Sequence, residues 1–306
     1  MLRATRRVFV TLPSLVGIAV LGSLPSCKAT LDPKPPEKDA SFDADALDAH
    51  DAAFNDEPID ISWYLFDSGG TVRDLMVVRG TMLFRFNFIA NAGTGEWLEP
   101  LDLQENWGAE NAPFETSTAP LDAAWFRYDD TQGSTAIRKL YVIRNRILHE
   151  YDYTTSAWSK TDISTNTVSG TGWASASGPF GNNNPAPVDA AWYRHEEGNA
   201  AIRRLAIVRG TTLYAFEYSA NQWTTPVDLA EEGSTWKMPG APFGTDSSPI
   251  DAAWYRYEGT GENKIELLNI LRSNVQYTYN FLKSAWNPPL THNTGNWTDT
   301  YGPFSP

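Results

Sequence analysis

Pro120-Leu121-Asp122-Ala123-Ala124-Trp125 is the stretch of sequence that decides the fold of this chain. It recurs as Pro187-Val188-Asp189-Ala190-Ala191-Trp192 and as Pro249-Ile250-Asp251-Ala252-Ala253-Trp254, and a divergent copy stands at Pro58-Ile59-Asp60-Ile61-Ser62-Trp63. The four aspartates are 62, 67 and 62 residues apart. Regular spacing on this scale is typical of repeat architectures. Residues 58–306 therefore read as four copies of one unit.

Each copy continues with the same succession of features. An apolar segment ends in an arginine, an aromatic-rich segment follows, and the copy closes on a Pro-Phe pair. The arginines are Arg79, Arg144, Arg209 and Arg272, and the pairs are Pro113-Phe114, Pro179-Phe180, Pro242-Phe243 and Pro303-Phe304. All 12 tryptophans of the chain fall into the scheme, three to a copy. Because they recur in register with the strands, we expect most of them to form the core between copies.

The segments of each copy have the composition of β-strands. Branched and aromatic residues are bounded by Gly, Asn and Pro, as in residues 189–194, 202–209, 213–218 and 223–229 of the third copy. Second segments such as Leu140-Tyr141-Val142-Ile143 are apolar at consecutive positions, so both faces of the sheet must be covered. No segment has the apolar face of a covering helix. We therefore predict an all-β fold, a four-bladed β-propeller in which four-stranded sheets cover one another around an axis.

The repeat resembles that of hemopexin-like four-bladed propellers. In that family a blade opens with Asp-Ala-Ala and an aromatic residue, as at Asp122, Asp189 and Asp251. An apolar strand ending in a basic residue and glycine follows, as in Val77-Val78-Arg79-Gly80, and then an aromatic-rich strand, as in Leu83-Phe84-Arg85-Phe86. The first copy departs from the pattern with Ile61-Ser62, and the single cysteine rules out the disulfide that closes the ring in many members. The resemblance spans residues 58–306 and implies a propeller that binds a protein, an ion or a small ligand.

The same resemblance implies a cation site on the axis. In the family the first strand of each blade lines a central tunnel, where its backbone carbonyl oxygens can hold a cation. Calcium prefers oxygen ligands such as these. Carried over residue by residue, the candidate tunnel residues are Asp60, Asp122, Asp189 and Asp251. The alternative is that these aspartates cap turns and strand ends. Part of the family binds haem through histidines of the loops between blades, and the sequence alone does not place His195 and His292 there.

The four repeated arginines have two interpretations. A ring of guanidinium groups can bind an anion, and a guanidinium can equally fork onto a carboxylate or a carbonyl and hold the fold together. A charge that recurs at the end of each second strand, as Arg79, Arg144, Arg209 and Arg272, favours the structural role, in which the arginine pairs with a repeated acid.

An alternative function is that of a carbohydrate-binding propeller lectin. The repeat also resembles fucose-binding propeller lectins, whose pockets between blades combine Arg, Glu and Trp. The second copy supplies all three as Arg138, Glu150 and Trp158, whereas the fourth has Glu266 where the arginine belongs. The resemblance therefore implies one ligand pocket of this type.

The N-terminus is typical of an export signal. Arg3, Arg6 and Arg7 precede an apolar run over residues 8–24. The run ends in Leu24-Pro25-Ser26-Cys27, which resembles the lipobox of bacterial lipoproteins, and Cys27 is the only cysteine. We predict a signal peptide over residues 1–27, lipidation of Cys27, and a protein held on a membrane of the cell envelope, in the periplasm or at the outer-membrane surface.

Residues 28–57 are rich in Asp, Ala and Pro and contain few large apolar side chains. Such a segment buries too little surface to offset the entropy of ordering, so we predict a disordered acidic tether. The chain carries a net charge of −13 at pH 7, which disfavours nucleic acid as a partner because backbone binding needs clustered positive charge. A protein or glycan partner fits better.

Catalysis finds little support in the sequence. The histidines His50, His149, His195 and His292 occupy unrelated places in the repeats, and no spacing typical of a catalytic triad or a metal site is present. We therefore predict that the protein is not an enzyme.

Overall fold

The computed structural model describes residues 59–66, 73–115, 120–129, 137–181, 187–196, 199–243, 250–258, 264–273, 275–292, 295–298 and 301–303. All of them belong to one compact unit. The predicted signal peptide, Cys27 and the predicted tether over residues 28–57 lie outside the described residues, as does Pro58, the first residue of the predicted propeller.

Four antiparallel sheets, one per copy, confirm the predicted four-bladed β-propeller. Blade 1 contains β1 (Ile61–Phe66), β2 (Arg73–Arg79), β3 (Met82–Asn87) and β4 (Glu96–Asp102), and blade 2 contains β5 (Ala123–Asp129), β6 (Ile137–Arg144), β7 (Ile147–Asp152) and β8 (Ala157–Asp162). Blade 3 contains β9 (Ala190–Glu196), β10 (Asn199–Arg209), β11 (Thr212–Glu217), β12 (Gln222–Trp223) and β13 (Val227–Asp228). Blade 4 contains β14 (Ala252–Glu258), β15 (Ile265–Arg272), β16 (Val275–Asn280), β17 (Ala285–Trp286) and β18 (Leu290–Thr291).

The outer strands of blades 3 and 4 differ from the prediction. The sequence predicts one strand over residues 223–229, but β12 and β13 are two short pieces that each pair with β11. Blade 4 repeats this with β17 and β18 on β16. Pro226 stands between the pieces in blade 3, and Pro288 and Pro289 stand between them in blade 4. Proline has no N–H to donate, so it interrupts the ladder at an edge strand.

Helix is scarce in the part of the chain that the structure describes. It consists of α1 (Leu103–Trp107) and two 3₁₀ turns, Asn91–Gly93 and Gly295–Thr298. The side chain of Asp102 caps α1 by accepting a hydrogen bond from the N–H of Glu105. Within the described ranges, none of these helices has the length and apolar character needed to cross a membrane.

The tryptophans build the core between blades, as predicted. Four apolar clusters fill the four interfaces, and each takes three tryptophans: the first-strand and connector residues of one copy and the fourth-strand residue of the next. In the cluster between blades 2 and 3, the ring centroid of Trp173 lies 6.2 Å from that of Trp125 and 5.2 Å from that of Trp223. Between blades 4 and 1, Trp297 likewise lies 6.0 Å from Trp254 and 5.2 Å from Trp97. The last copy therefore packs on the first, and the ring is closed.

The repeated arginines join neighbouring blades. The guanidinium of each donates to the carbonyl of the proline in the Pro-Phe pair of the preceding copy: Arg144 to Pro113, Arg209 to Pro179, Arg272 to Pro242, and Arg79 to Pro303. The last of these bonds runs from copy 1 to copy 4 and completes the ring. The structural role that the repetition favours is present, with a carbonyl oxygen as the acceptor.

Candidate functional site

The four first strands surround the axis of the propeller, since β1, β5, β9 and β14 each contact the next one around the ring. Six residues after the aspartate, each strand places an aromatic ring at the same level: Phe66, Tyr128, His195 and Tyr257. The His195 ring stacks on Phe66 at 4.9 Å and lies 4.9 Å from Tyr257 and 6.1 Å from Tyr128. We call these four residues the axial plug, because they fill the space between the carboxyl ends of the first strands.

His195 is 3% exposed, and burial lowers its pKa to about 3, with the positive charge of Arg203 acting in the same direction and Asp129 against it. Arg203 and Asp129 are themselves buried, and their nearest N and O atoms lie 3.5 Å apart. His195 is therefore a neutral core residue at physiological pH, packed among the rings of Phe66, Tyr128 and Tyr257.

The candidate tunnel aspartates lie at the other end of the first strands, where each caps the hairpin between the second and third strands of its blade. The Oδ2 of Asp60 accepts from the N–H of Gly80 at 2.7 Å, Asp122 from Asn145 at 2.9 Å, and Asp251 from Ser273 at 2.7 Å. Asp189 accepts from Gly210 in the same way. The four donors all have positive φ, so the carboxylates hold the left-handed turns that join these strands.

The aspartates at this end of the axis interact with the repeated arginines. Burial raises the pKa of Asp122 and of Asp189, and the turn N–H groups and the neighbouring arginines oppose that effect. Arg144 interacts electrostatically with Asp60 and Asp122, and Arg209 with Asp189 and Asp122. In the ranges that the structure describes, no three His, Cys, Asp or Glu side chains come together as a metal site. Calcium held by first-strand carbonyls stays a prediction, and the carboxylates themselves are engaged at the turns.

The three residues of the predicted lectin pocket do not converge. Trp158 lies opposite Tyr151 in the ladder, so the two share a face of blade 2, and Glu150 precedes Tyr151 and points to the other face. Arg138 lies opposite Tyr128 with its guanidinium carbon 5.9 Å from that ring, and Tyr128 belongs to the cluster that Trp158 joins. Arg138 and Trp158 thus face blade 1, while Glu150 faces blade 3 and binds Lys139 at 2.5 Å. Neighbouring residues of one strand point to opposite faces, which is why the pocket does not form.

A cleft of about 460 Å³ opens between blades 4 and 1 instead, within the ~300–1,000 Å³ typical of small-molecule sites. We call it the 4/1 cleft. Its aromatic walls are Phe86, Phe88, Trp97, Trp254 and Trp297, and its polar residues are Thr94, Arg256, Asn269, Gln276, Thr278 and Asn287.

Three neutral polar side chains form a network on the blade 4 wall of the cleft. Gln276 Nε2 donates to Asn269 Oδ1 at 2.7 Å and to Thr278 Oγ1 at 3.1 Å. The Thr278 hydroxyl donates to the same Asn269 oxygen at 2.9 Å. Asn269 is 4% exposed and Thr278 is 8% exposed, whereas Gln276 is half-buried at the edge of the interface. We call Asn269, Gln276 and Thr278 the polar triad.

The polar triad is where the fourth copy departs from the others. The position of Gln276 is leucine in the other three copies, as Leu83, Leu148 and Leu213. The position of Asn269, opposite the first-strand tryptophan, holds Met76, Tyr141 and Ala206. Between blades 2 and 3, Tyr141 stacks on Trp125 at 5.1 Å and fills the equivalent space. The position of Thr278 holds Arg85, Glu150 and Ala215 in the other copies. Burying polar groups costs stability relative to apolar ones, so the changes at Asn269 and Gln276 indicate a use for the space.

Among the described residues that line the cleft, Arg256 supplies the charged side chain, and its charge is paired. Its guanidinium carbon lies 3.9 Å from the centroid of Phe88, and its Nε donates to Glu258. Arg127 and Arg194 stack in the same way on Tyr218 and Phe281 of the next blades.

Glu258 is ionised at neutral pH. Burial opposes its ionisation, but bonds from Arg256 and Tyr64 and the charge of Arg73 outweigh burial and lower its pKa. The cleft therefore presents rings, amides and a hydroxyl together with a neutralised cation.

The features that the four copies share do not reveal this site, because it lies where one copy differs from the other three. An alignment of the four copies would show Gln276 against three leucines, and that contrast is the available signal. The geometry of the network depends on a cross-strand register that the sequence pattern alone does not fix.

No protein-family model matches the chain. No curated protein matches it either. Among solved structures, the 2S albumin seed protein from Dolichos is 12% identical with a TM-score of 0.53, over 80% of this chain and 99% of that one. At this identity the likeness shows the fold alone.

Two further solved structures are similar to the chain. A hemopexin fold protein from cow pea is 13% identical with a TM-score of 0.49, over 77% of this chain and 93% of that one. A plant lectin with two metal binding sites from Cicer arietinum is 13% identical with a TM-score of 0.47, over 79% of this chain and 95% of that one.

Proposed function

We propose that this chain is a non-catalytic binding protein, exported and anchored by a lipid on Cys27 to a membrane of the bacterial cell envelope, which holds a small polar ligand in the 4/1 cleft. The observation that carries the binding role is the polar triad. Its Gln276 stands where the other three copies have leucine, and the triad lines an open space of about 460 Å³. The resemblance of the repeat to hemopexin-like propellers is consistent with binding.

A binding role also agrees with how the titratable groups are used. His149 Nδ1 lies 2.7 Å from the carbonyl of Asn111, His195 belongs to the axial plug, and the His292 ring packs 4.0 Å from Trp297. The acidic side chains on the axis cap turns. Each of these titratable groups contributes to packing or to a turn. The 4/1 cleft, with its neutral polar side chains, is therefore the better candidate for ligand binding.

The ligand site is tested by thermal shift of the full chain, with Cys27→Ser to keep it unlipidated, against a library of small polar metabolites. We expect compounds that raise the melting temperature of this chain and have no effect on the same chain carrying Asn269→Met, which installs the residue of the first copy. If every active compound stabilises both chains equally, the 4/1 cleft is not the ligand site.

The anchor is tested by feeding bacterial cells that produce the chain an alkyne analogue of palmitate. The charged start, the apolar run and Cys27 support the expectation that the wild-type chain takes up the label and sediments with membranes, while Cys27→Ser does neither. A wild-type chain that is unlabelled and remains in the soluble fraction would contradict the anchor.

A further inference from the structure

We infer that the ligand of the 4/1 cleft is a neutral saccharide, held as a single sugar ring through two adjacent hydroxyls; this inference rests on the proposed function. It starts from the hydrogen-bonding capacity that the polar triad leaves unused. Asn269 Oδ1 accepts two bonds, and Gln276 Nε2 and the Thr278 hydroxyl donate within the triad. Among the described residues, nothing accepts from Asn269 Nδ2 and nothing donates to Gln276 Oε1.

The triad therefore offers one donor and one acceptor side by side on a cleft wall. An amide nitrogen donates only and an amide oxygen accepts only, whereas a hydroxyl does both. Two neighbouring hydroxyls satisfy this pair, since one accepts from Asn269 Nδ2 and the other donates to Gln276 Oε1. The triad's internal bonds fix both amides beforehand, which lowers the entropy cost of binding.

The rest of the wall suits the two faces of a sugar ring. Trp297 and Phe88 are partly exposed and line the cleft together with the triad. A sugar ring carries C–H groups on its faces and hydroxyls on its rim, so it can pack on a ring and bond to amides at once. Small-ligand sites commonly combine aromatic walls with a few placed polar groups in this way.

Charge complementarity selects a neutral ligand. Arg256 is the charged residue of the described lining, and Glu258 pairs with it while also accepting from Tyr64 at 2.9 Å and Arg73 at 2.9 Å. An acidic sugar would have to compete with Glu258 for Arg256. An amino sugar would place a cation beside that guanidinium.

The test is isothermal titration of the full chain carrying Cys27→Ser with a panel of neutral hexoses, pentoses and 6-deoxyhexoses, together with glucuronic acid, glucosamine and adenosine as probes of other chemistry. We expect at least one neutral sugar to bind more tightly than the charged sugars and adenosine. We expect Gln276→Leu, which restores the leucine of the other copies, to weaken that binding about tenfold or more, since it removes the acceptor. The matched control is Gln222→Leu, which makes the same change at an exposed glutamine of blade 3 and leaves affinity unchanged.

The other outcomes separate this inference from the proposed function. Binding of adenosine, glucosamine or glucuronic acid in preference to all neutral sugars, lost in Gln276→Leu, would overturn the saccharide and keep the cleft as the ligand site. Sugar binding that Gln276→Leu leaves intact would overturn both the saccharide assignment and the cleft. No binding of any sugar, while library compounds still stabilise the chain in a manner dependent on Asn269, would overturn the saccharide alone.

Discussion

The aspartate that opens each copy acts through one carboxylate oxygen on one backbone N–H. At Asp122 the acceptor holds Asn145, a residue with φ of 51°, in the left-handed region that favours glycine. The same bond recurs in copies where glycine stands at that position, so the carboxylate is needed for the turn in general. Its partly buried position and raised pKa show that the charge is costly and is kept for this bond.

We expect Asp122→Ala to lower the free energy of unfolding by about 0.5–1.5 kcal/mol, because the left-handed turn at Asn145 loses the charged acceptor of its N–H. The loss should be the same with and without calcium in the buffer, since the carboxylate is engaged at the turn. Urea unfolding at both conditions measures it, with the exposed Glu99→Ala as the control of similar charge change. A loss that appears only in calcium would make Asp122 a metal ligand.

His195 gives the fold an acid-sensitive component. Its pKa is about 3 in the folded chain and ~6.5 when unfolded, so the folded state binds fewer protons between these values. The contribution of neutral His195 to the free energy of unfolding is present in full above pH 6.5. It is lost as the pH falls below that value, by about 1.4 kcal/mol per pH unit.

We expect His195→Phe, which copies Phe66 at the same position of blade 1, to resist acid better than the wild-type chain. The gap between the two unfolding free energies should open below pH 6.5 and widen toward pH 4, and urea unfolding across that range measures it. The remaining acid-sensitive groups are common to both chains and cancel in the difference. Parallel curves for the two chains would mean that His195 is solvated.

At the scale of the strand, each second strand ends in an arginine that ties its blade to the one before. Arg209 is 2% exposed, donates to the carbonyls of Pro179 and Pro187, and lies with its guanidinium carbon 4.8 Å from the Phe180 ring. Arg209 thus lies at the end of the second strand, where the neighbouring connector supplies carbonyl oxygens as acceptors.

We expect Arg209→Met to cost about 2–3 kcal/mol of unfolding free energy, since it leaves the Pro179 carbonyl buried without a donor. Lysine should not rescue it, because one ammonium cannot reproduce the planar fork. The control is Arg204→Met on the same strand, whose partner Glu217 forms an exposed ion pair worth under ~1 kcal/mol. Equal losses at the two positions in urea unfolding would show that the bond to the connector has no special role.

The strands also show which features of the fold could be predicted from the sequence. Composition and the fourfold motif predict the sheets, their order and the tryptophan core, because these features recur in every copy. The split outer strands follow from Pro226, Pro288 and Pro289, which the sequence displays and the prediction of a strand over residues 223–229 overlooked. The prolines that accept from the arginines recur as regularly as the arginines do, but the sequence pattern alone does not show that the two are in contact across neighbouring copies.

The candidate site escaped prediction for a related reason. Arg138, Glu150 and Trp158 fit a pocket in sequence order, but the alternation of side chains along β7 sends Glu150 to the opposite face. The polar triad lies on two strands whose register places Asn269 against Thr278 and Leu271 against Gln276. Only that register makes three scattered polar residues a single wall.

At the scale of the whole molecule, ring closure explains how one of the four interfaces between blades can lose apolar contacts and form a cleft. Four interfaces share the work of holding the blades, and each contains a tryptophan trio and an arginine bond. Three remain apolar at the position of Gln276, so the loss of apolar contact at the fourth is a modest fraction of the total. A closed ring can therefore keep a polar cleft without losing its shape.

We expect opposite effects on stability from two reciprocal substitutions at equivalent positions of blades 4 and 3. Gln276→Leu should raise the free energy of unfolding by about 0.5–1 kcal/mol, because apolar contact replaces a half-buried amide, at the expense of ligand binding. Leu213→Gln, the reverse change at the same position of blade 3, should lower it by about 1–2 kcal/mol, since no asparagine or threonine stands beside it to accept or donate. Urea unfolding without ligand measures both. If Gln276→Leu instead destabilises the chain, the polar triad is a structural requirement of blade 4. The stability argument for a ligand site in the cleft would then be wrong.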